Sequence, residues 1–282
     1  MQVFLDHDEL ARIAREHRRA YSSAEPFPHV VLDGVLPDAA LDLALDVFPE
    51  PDSAVWKVYD NPLEKKLETQ GEDRLDDAAS LLLYQFNSAP FLAFLEELSG
   101  IEGLIPDPYF HGGGFHQIEP GGKLSIHADF SGHPTLPLDR RLNVLIYLNR
   151  DWDAAYGGHL ELWNRDATEC CHRVEPVFNR MVVFSTNETS FHGHPEPLRC
   201  PPGRTRKSIA LYYFTAREGT RDHTTRFVRR PGEEFPASVE FATSGYGLKD
   251  DRFARRSSLK RFARGVTPPF VFEATRRFRR SA

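Results

Sequence analysis

The sequence predicts a mainly β domain, two packed antiparallel sheets in a sandwich or jelly roll, with helices packed against it from the N-terminal side. Three observations lead there. Helical periodicity is confined to the residues before Gly100, the texture changes at Gly112, and from there to Thr215 short apolar runs alternate with turn residues. Alternating βαβ units, which would give a parallel sheet, are absent from that stretch.

In order along the chain, Asp8–Ala14 opens a helix that Asp6 or Asp8 can cap, and PFPHVVLDGVL places a short strand before a second helix at Pro37–Ala40. Helices near Asp76–Phe86 and Ala89–Leu98 follow, the latter stopped by Gly100. Strands are then expected at Phe115–Glu119, Leu124–Ala128, Leu142–Leu148, His159–Trp163, His172–Val177, Met181–Phe184, Ser190–His194 and Ser208–Thr215. The chain thus divides into a mostly helical support (1–110), a β core (111–217) and a C-terminal extension (218–282). The glycines of His111-Gly112-Gly113-Gly114 suit a turn entering the β core. Read as an esterase oxyanion loop, they would need a G-x-S-x-G elbow, which the chain lacks.

With 282 residues, 40% hydrophobic and 27% charged, the chain is ordinary for a globular protein and long enough to bury a core. No run of 18 apolar residues exists and the N-terminus mixes acids and bases, so no membrane span and no signal peptide are expected, and the location expected is cytoplasmic. Three cysteines, two of them adjacent at Cys170 and Cys171, do not make a spaced zinc site or a disulfide framework. The net charge of −6 is uneven: from Arg252 onward ten Lys/Arg face one acid, Glu273, so the tail is +9 and the rest −15. Phe and Arg interleave in that tail, which suits phosphates, a membrane surface or an acidic partner, or docking onto the acidic body. The acidic body disfavours a dedicated nucleic-acid binder.

His127-Ala128-Asp129 is the most informative constellation. Side chains two apart on a strand project to one face, so His127 and Asp129 can reach one point. A third imidazole from a later strand would complete a two-His, one-carboxylate facial set, which suits non-haem Fe(II). Around it stand HADF, RRLNVLIYLNRDWDAAYGGHLELW, FNRMVVFSTNETSFHGHP and GRTRKSIALYYF.

In these motifs and their order, Gly112 to Thr215 resembles the 2-oxoglutarate- and Fe(II)-dependent dioxygenases, in their prolyl-4-hydroxylase-like branch. The resemblance implies a double-stranded β-helix core and a hydroxylase that uses Fe(II), 2-oxoglutarate and O2, leaving succinate and carbon dioxide. It implies His127, Asp129 and His192 as iron ligands, with His194 as rival for the third place or as a donor behind it. It also implies Arg206 and Ser208 as receivers of the distal carboxylate of 2-oxoglutarate, joined by the Tyr147 phenol. A fixed planar donor suits that task. Lys207 would point the other way.

Substrate-pocket candidates are Gln117 and Glu119 before the HxD strand, Asn143 and Arg141 on the next, Leu160 and Tyr212 by the match, and His194. The N-terminal third, with Trp56, Lys65 and Lys66, could fold over the mouth. His111, His116, His133 and His159 read as surface or turn histidines. The expected substrate is a small molecule or a peptidyl side chain; its identity and the oligomeric state are not written in the motifs. Two other classes stand beside this reading: an inactive jelly-roll module that binds metal or ligand, and an oxygenase directed to nucleic acid by the basic tail.

Overall fold

The structure, a computed structural model, describes residues 4–69, 75–217 and 223–236 together with the strands Val239–Ala242 and Gly245–Leu248. The basic tail from Arg252 lies outside the described residues.

Helix α1 (His7–Ser22) begins where the Asp6 carboxylate accepts from Glu9 N–H, and buries Leu10, Ile13, Ala14 and Tyr21 along one stripe. Helix α2 (Asp38–Asp46) follows strand β1 (His29–Asp33). Helix α3 (Asp77–Phe86) is capped by Asp76, and α4 (Ala89–Ser99) has Pro90 in its first turn and ends at Gly100 in the left-handed region, φ 72°. Together α3 and α4 are long and apolar enough by composition to cross a membrane. Here they are separate helices, and Leu82, Leu83, Phe86, Phe91, Phe94, Leu95 and Leu98 belong to the largest core cluster. Each such side chain contributes roughly 1.5–3 kcal/mol by leaving water.

The strands expected from Phe115 to Thr215 form as β5 (Gly114–Ile118), β6 (Lys123–Ala128), β7 (Leu138–Tyr147), β8 (Leu160–Trp163), β9 (Cys170–Val174), β10 (Arg180–Ser185), β11 (His192–His194) and β12 (Arg206–Ala216). Read as one ladder, the order is β1-β10-β7-β12-β5-β3-β6-β11-β8-β9. Period two sorts the side chains. Met181 and Val183 face the helices in the large cluster, whereas Val182 and Phe184 turn to Tyr147, Leu160 and Leu162 between the two layers. This is the double-stranded β-helix.

The first third is less helical than its sequence suggests. Trp56–Asp60 and Glu64–Thr69 form the hairpin β2–β3, Ile105–Pro106 the short β4 pairing β12, and Arg226–Phe227 (β13) pairs β6. Strand β3 pairs β5 through Leu67 and Glu68 and β6 through Glu64 and Lys65, so it joins the two layers. The WKVYD and EKKLET runs carry too many charges to be read as strands. Of their polar side chains Tyr59, Lys66 and Glu68 line the cavity, while Asp60 and Lys65 are exposed.

Gly114 opens β5 with φ 94°, and a Cβ there would lie 2.4 Å from Thr69 Oγ1, the acceptor of Phe115 N–H. Gly114→Ala is expected to cost about 1–3 kcal/mol through strain and overpacking. A lowered urea midpoint at unchanged slope checks it.

Candidate active site

His127 lies near the end of β6 and His192 begins β11, directly opposite each other in the ladder. His127 Nδ1 is 2.9 Å from Ser125 O and His192 Nδ1 2.9 Å from Ser190 O. A carbonyl only accepts, so each Nδ1 carries a proton, and Nε2 is the lone-pair nitrogen of the neutral ring. Both lone pairs face Asp129: Oδ1 is 3.5 Å from His127 Nε2 and Oδ2 3.4 Å from His192 Nε2. The donor atoms of the three residues all lie within 4.8 Å of one another.

Asp129 is held from behind. Asn143 Nδ2 donates to its Oδ2 at 2.6 Å and Arg140 Nη2 at 3.1 Å, while the Asn143 oxygen accepts from Arg140 Nε and Nη2. The guanidinium of Arg140 lies 3.5 Å from the centre of the Tyr212 ring. Burial opposes ionisation of Asp129, but the charges facing it, Arg140 foremost, hold its carboxyl well below the usual range. Burial pushes His192 down to about 4. The Nε2 atoms of two imidazoles and one carboxylate thus converge on one point. That donor set fits a divalent cation, and non-haem Fe(II) in particular. Asn143→Ala is expected to weaken metal binding about 10–100-fold by loosening Asp129. Unchanged Mn(II) affinity would contradict the role of this hydrogen bond.

At the other end of the interior, Arg206 opens β12, 4% exposed. Its Nε donates to Gly158 O at 2.8 Å and Nη2 to the Tyr147 hydroxyl at 3.2 Å. Among the described residues no carboxylate pairs with it, and burial lowers its pKa. A buried cation with only neutral partners is costly, which fits a pocket for an anion. Gly158 is required here: a Cβ would come within 2.9 Å of Arg206 Cδ. Ser208 sits on the same face, opposite Tyr147 in the ladder. These groups fit the distal carboxylate of 2-oxoglutarate.

A cavity of about 320 Å³ leads to His127 and Asp129 and is lined by Lys66, Glu68, Tyr59, Tyr212 and Phe227 among others. Lys66 bridges Glu64 and Glu68 at 3.7 and 3.1 Å, and Tyr59 donates to Glu68 at 2.7 Å. Burial opposes the charge on Glu68, yet Lys66 beside it lowers its pKa to about 2.

The interior thus gathers His127, Asp129, His192, Asn143, Tyr212, Arg206, Ser208 and Tyr147, with Leu160 packed beside Tyr147. Asn143 serves Asp129 rather than the cavity wall. Gln117 is a correction: it pairs with Lys207 and Leu67 on the helix-facing side of β5 and donates to Thr205. Glu119 lies past the strand end, exposed. Arg141 turns to Thr215. Trp56 is in the helix-side core and Lys65 is exposed, leaving Lys66 as the one of those three at the mouth.

Sequence reasoning missed Arg140, whose signal was its place three residues before Asn143 on the HxD-following strand. It also missed that His133 is buried and His116 half-buried. His116 bonds Gly112 O at 2.9 Å, and burial lowers its pKa to about 4. Asp107, His111 and His133 form a second group with converging donors. There His133 Nδ1 accepts from Leu136 N–H, so its Nε2 carries the proton shared with Asp107. Asp107 also accepts from Tyr109 and His111 N–H, and the group reads as a loop clasp, not a metal centre.

The family model of the 2OG-Fe(II) oxygenase superfamily matches residues 113–214. No curated protein sequence matches the chain. Among solved structures, a Trichoplax adhaerens prolyl hydroxylase in complex with a hypoxia-inducible-factor oxygen-degradation-domain peptide is similar at TM-score 0.55 and 17% identity, covering 73% of this chain and 91% of that one. A Pseudomonas putida prolyl-4-hydroxylase is similar at TM-score 0.48 and 19% identity, covering 72% and 99%. Residues 113–214 thus match the 2OG-Fe(II) oxygenase superfamily model, and the fold is similar to that of the Trichoplax adhaerens prolyl hydroxylase.

Proposed function

We propose that the protein hydroxylates an unactivated C–H bond of a small-molecule or peptidyl substrate while 2-oxoglutarate is decarboxylated to succinate. The observation that carries this is the pairing of the converging His127/Asp129/His192 donor set with a buried Arg206 that has no carboxylate partner among the described residues. His127, Asp129 and His192 would hold Fe(II), and Arg206, Ser208 and Tyr147 the far end of the cosubstrate. Bound iron supplies the activation of O2 at the expense of the oxo acid.

The chain's own residues supply the rest. Ser125 O and Ser190 O fix the imidazole tautomers, so both rings offer Nε2 without a proton transfer. Arg140 and Asn143 hold the carboxylate plane, and Phe184 and Phe227 pack against the ligand rings at 4.7 and 5.4 Å, limiting water. The charges of the mouth are paired among Lys66, Glu64 and Glu68, so the cavity offers hydrogen bonds and aromatic faces without a large net field. That supports a neutral or internally balanced substrate group of small size.

Anaerobic titration with Fe(II) and then 2-oxoglutarate is the test. A weak visible charge-transfer band is expected, and succinate release under air when a substrate is supplied. Metal-loaded protein that gives no band would overturn the reading in favour of a metal-binding module.

A further inference from the structure

Two residues beyond each histidine of the triad, β6 and β11 present a second pair of polar side chains. Ser125 shares its strand face with His127, and His194 follows His192 across a register shift. Ser125 is fully buried and His194 is 4% exposed. Among the described residues, Ser125 Oγ and both ring nitrogens of His194 have no hydrogen-bond partner. Buried polar atoms in folded proteins nearly always have one, so these mark space that a polar molecule fills.

The location says which part of that molecule. His194 and Gly158 border one cavity, of about 520 Å³, and the Gly158 carbonyl receives Arg206 Nε at 2.8 Å. Two regular strand residues advance roughly 6.6 Å, about the length of a five-carbon chain, and His194 stands two residues beyond His192 across the register shift.

We propose that His194 is a specificity-determining residue, donating a ring N–H to the distal carboxylate of 2-oxoglutarate beside Arg206, with Ser125 on the adjoining wall. This rests on the oxygenase reading above. Selection of a 2-oxo dicarboxylate over shorter chelating acids is then shared by two side chains. Arg206 supplies the charge, and His194 supplies a directed bond that its burial and lack of other partners leave free for the ligand.

The test is calorimetric binding, under anaerobic conditions, of 2-oxoglutarate and of oxalate to Fe(II)-loaded protein. Oxalate chelates a metal and has no distal carboxylate. His194→Leu is expected to raise the Kd for 2-oxoglutarate roughly 10–30-fold while the Kd values for oxalate and Fe(II) stay within about twofold, and His194→Gln to restore most of the loss. Unchanged 2-oxoglutarate affinity in His194→Leu, with Arg206→Met still impaired, would overturn the proposal and leave His194 as a contact to cavity water. Equal weakening of oxalate and 2-oxoglutarate would also overturn it, because the effect would then act through His192. Wild-type protein that binds Fe(II) and oxalate but not 2-oxoglutarate would overturn the oxygenase reading instead.

Discussion

Asp129→Ala is expected to abolish succinate formation and to lower Fe(II) affinity by more than the roughly 10–100-fold that loss of an outer hydrogen-bonding partner costs. Asp129 is the anionic member of the converging donor set, and its two oxygens face His127 Nε2 and His192 Nε2. Without it, two neutral imidazoles remain, which hold a divalent ion poorly. The substitution also strips Arg140 of its carboxylate inside the protein, and removing one partner of a buried pair leaves the other charge uncompensated. The variant should therefore melt below wild type even without metal. Asp129→Asn keeps volume and an acceptor, and should recover part of that stability but little metal binding. Equilibrium Fe(II) binding and thermal melts of the metal-free proteins check both parts. Wild-type metal affinity in Asp129→Ala would remove this residue from the centre.

Arg206→Met is expected to raise the 2-oxoglutarate requirement roughly 10²–10³-fold, the range for losing one side of a buried, hydrogen-bonded charge pair. Its effect on stability should run opposite to that of Asp129→Ala. Among the described residues Arg206 has only Gly158 O and the Tyr147 hydroxyl as partners, so the metal-free, ligand-free protein bears the cost of a buried cation. The variant should melt no lower than wild type in that state, yet gain no stabilisation from 2-oxoglutarate, whereas wild type gains it by mass action. Lys207→Ala is the control. Lys207 lies over the Phe48 ring at 4.9 Å on the helix-facing side, away from the interior, and its loss should leave the 2-oxoglutarate requirement unchanged. A variant Arg206→Met with wild-type 2-oxoglutarate affinity would place the distal carboxylate elsewhere.

Much of this arrangement was legible because it is local. Period-two runs marked every strand of the core from β5 to β12, and Gly100 and Asp76 marked helix ends. The HxD spacing put two donors at one strand end. The exchange of Gln117 for its neighbours shows the limit. Alternation states that Gln117 and Glu119 share a face but not which face of β5 turns inward, and the pairing with Lys207 decides it. Likewise WKVYD and EKKLET, too charged to read as strands, become β2–β3 because their polar groups close the site.

Taken alone, the sequence determined the β architecture, the shared face of His127 and Asp129 and the direction of Lys207 by short-range periodicity, while His192 as third ligand and Arg206 as cosubstrate cation came only as what the family resemblance implies. Tertiary structure alone decided that Arg140 and Asn143 clamp Asp129, that the N-terminal hairpin joins the two layers, that Asp107 and His133 clasp a loop, and that His194 is buried without a partner. Those features depend on which strands become neighbours, and strand pairing is set by burial summed over the whole domain, which no single segment carries.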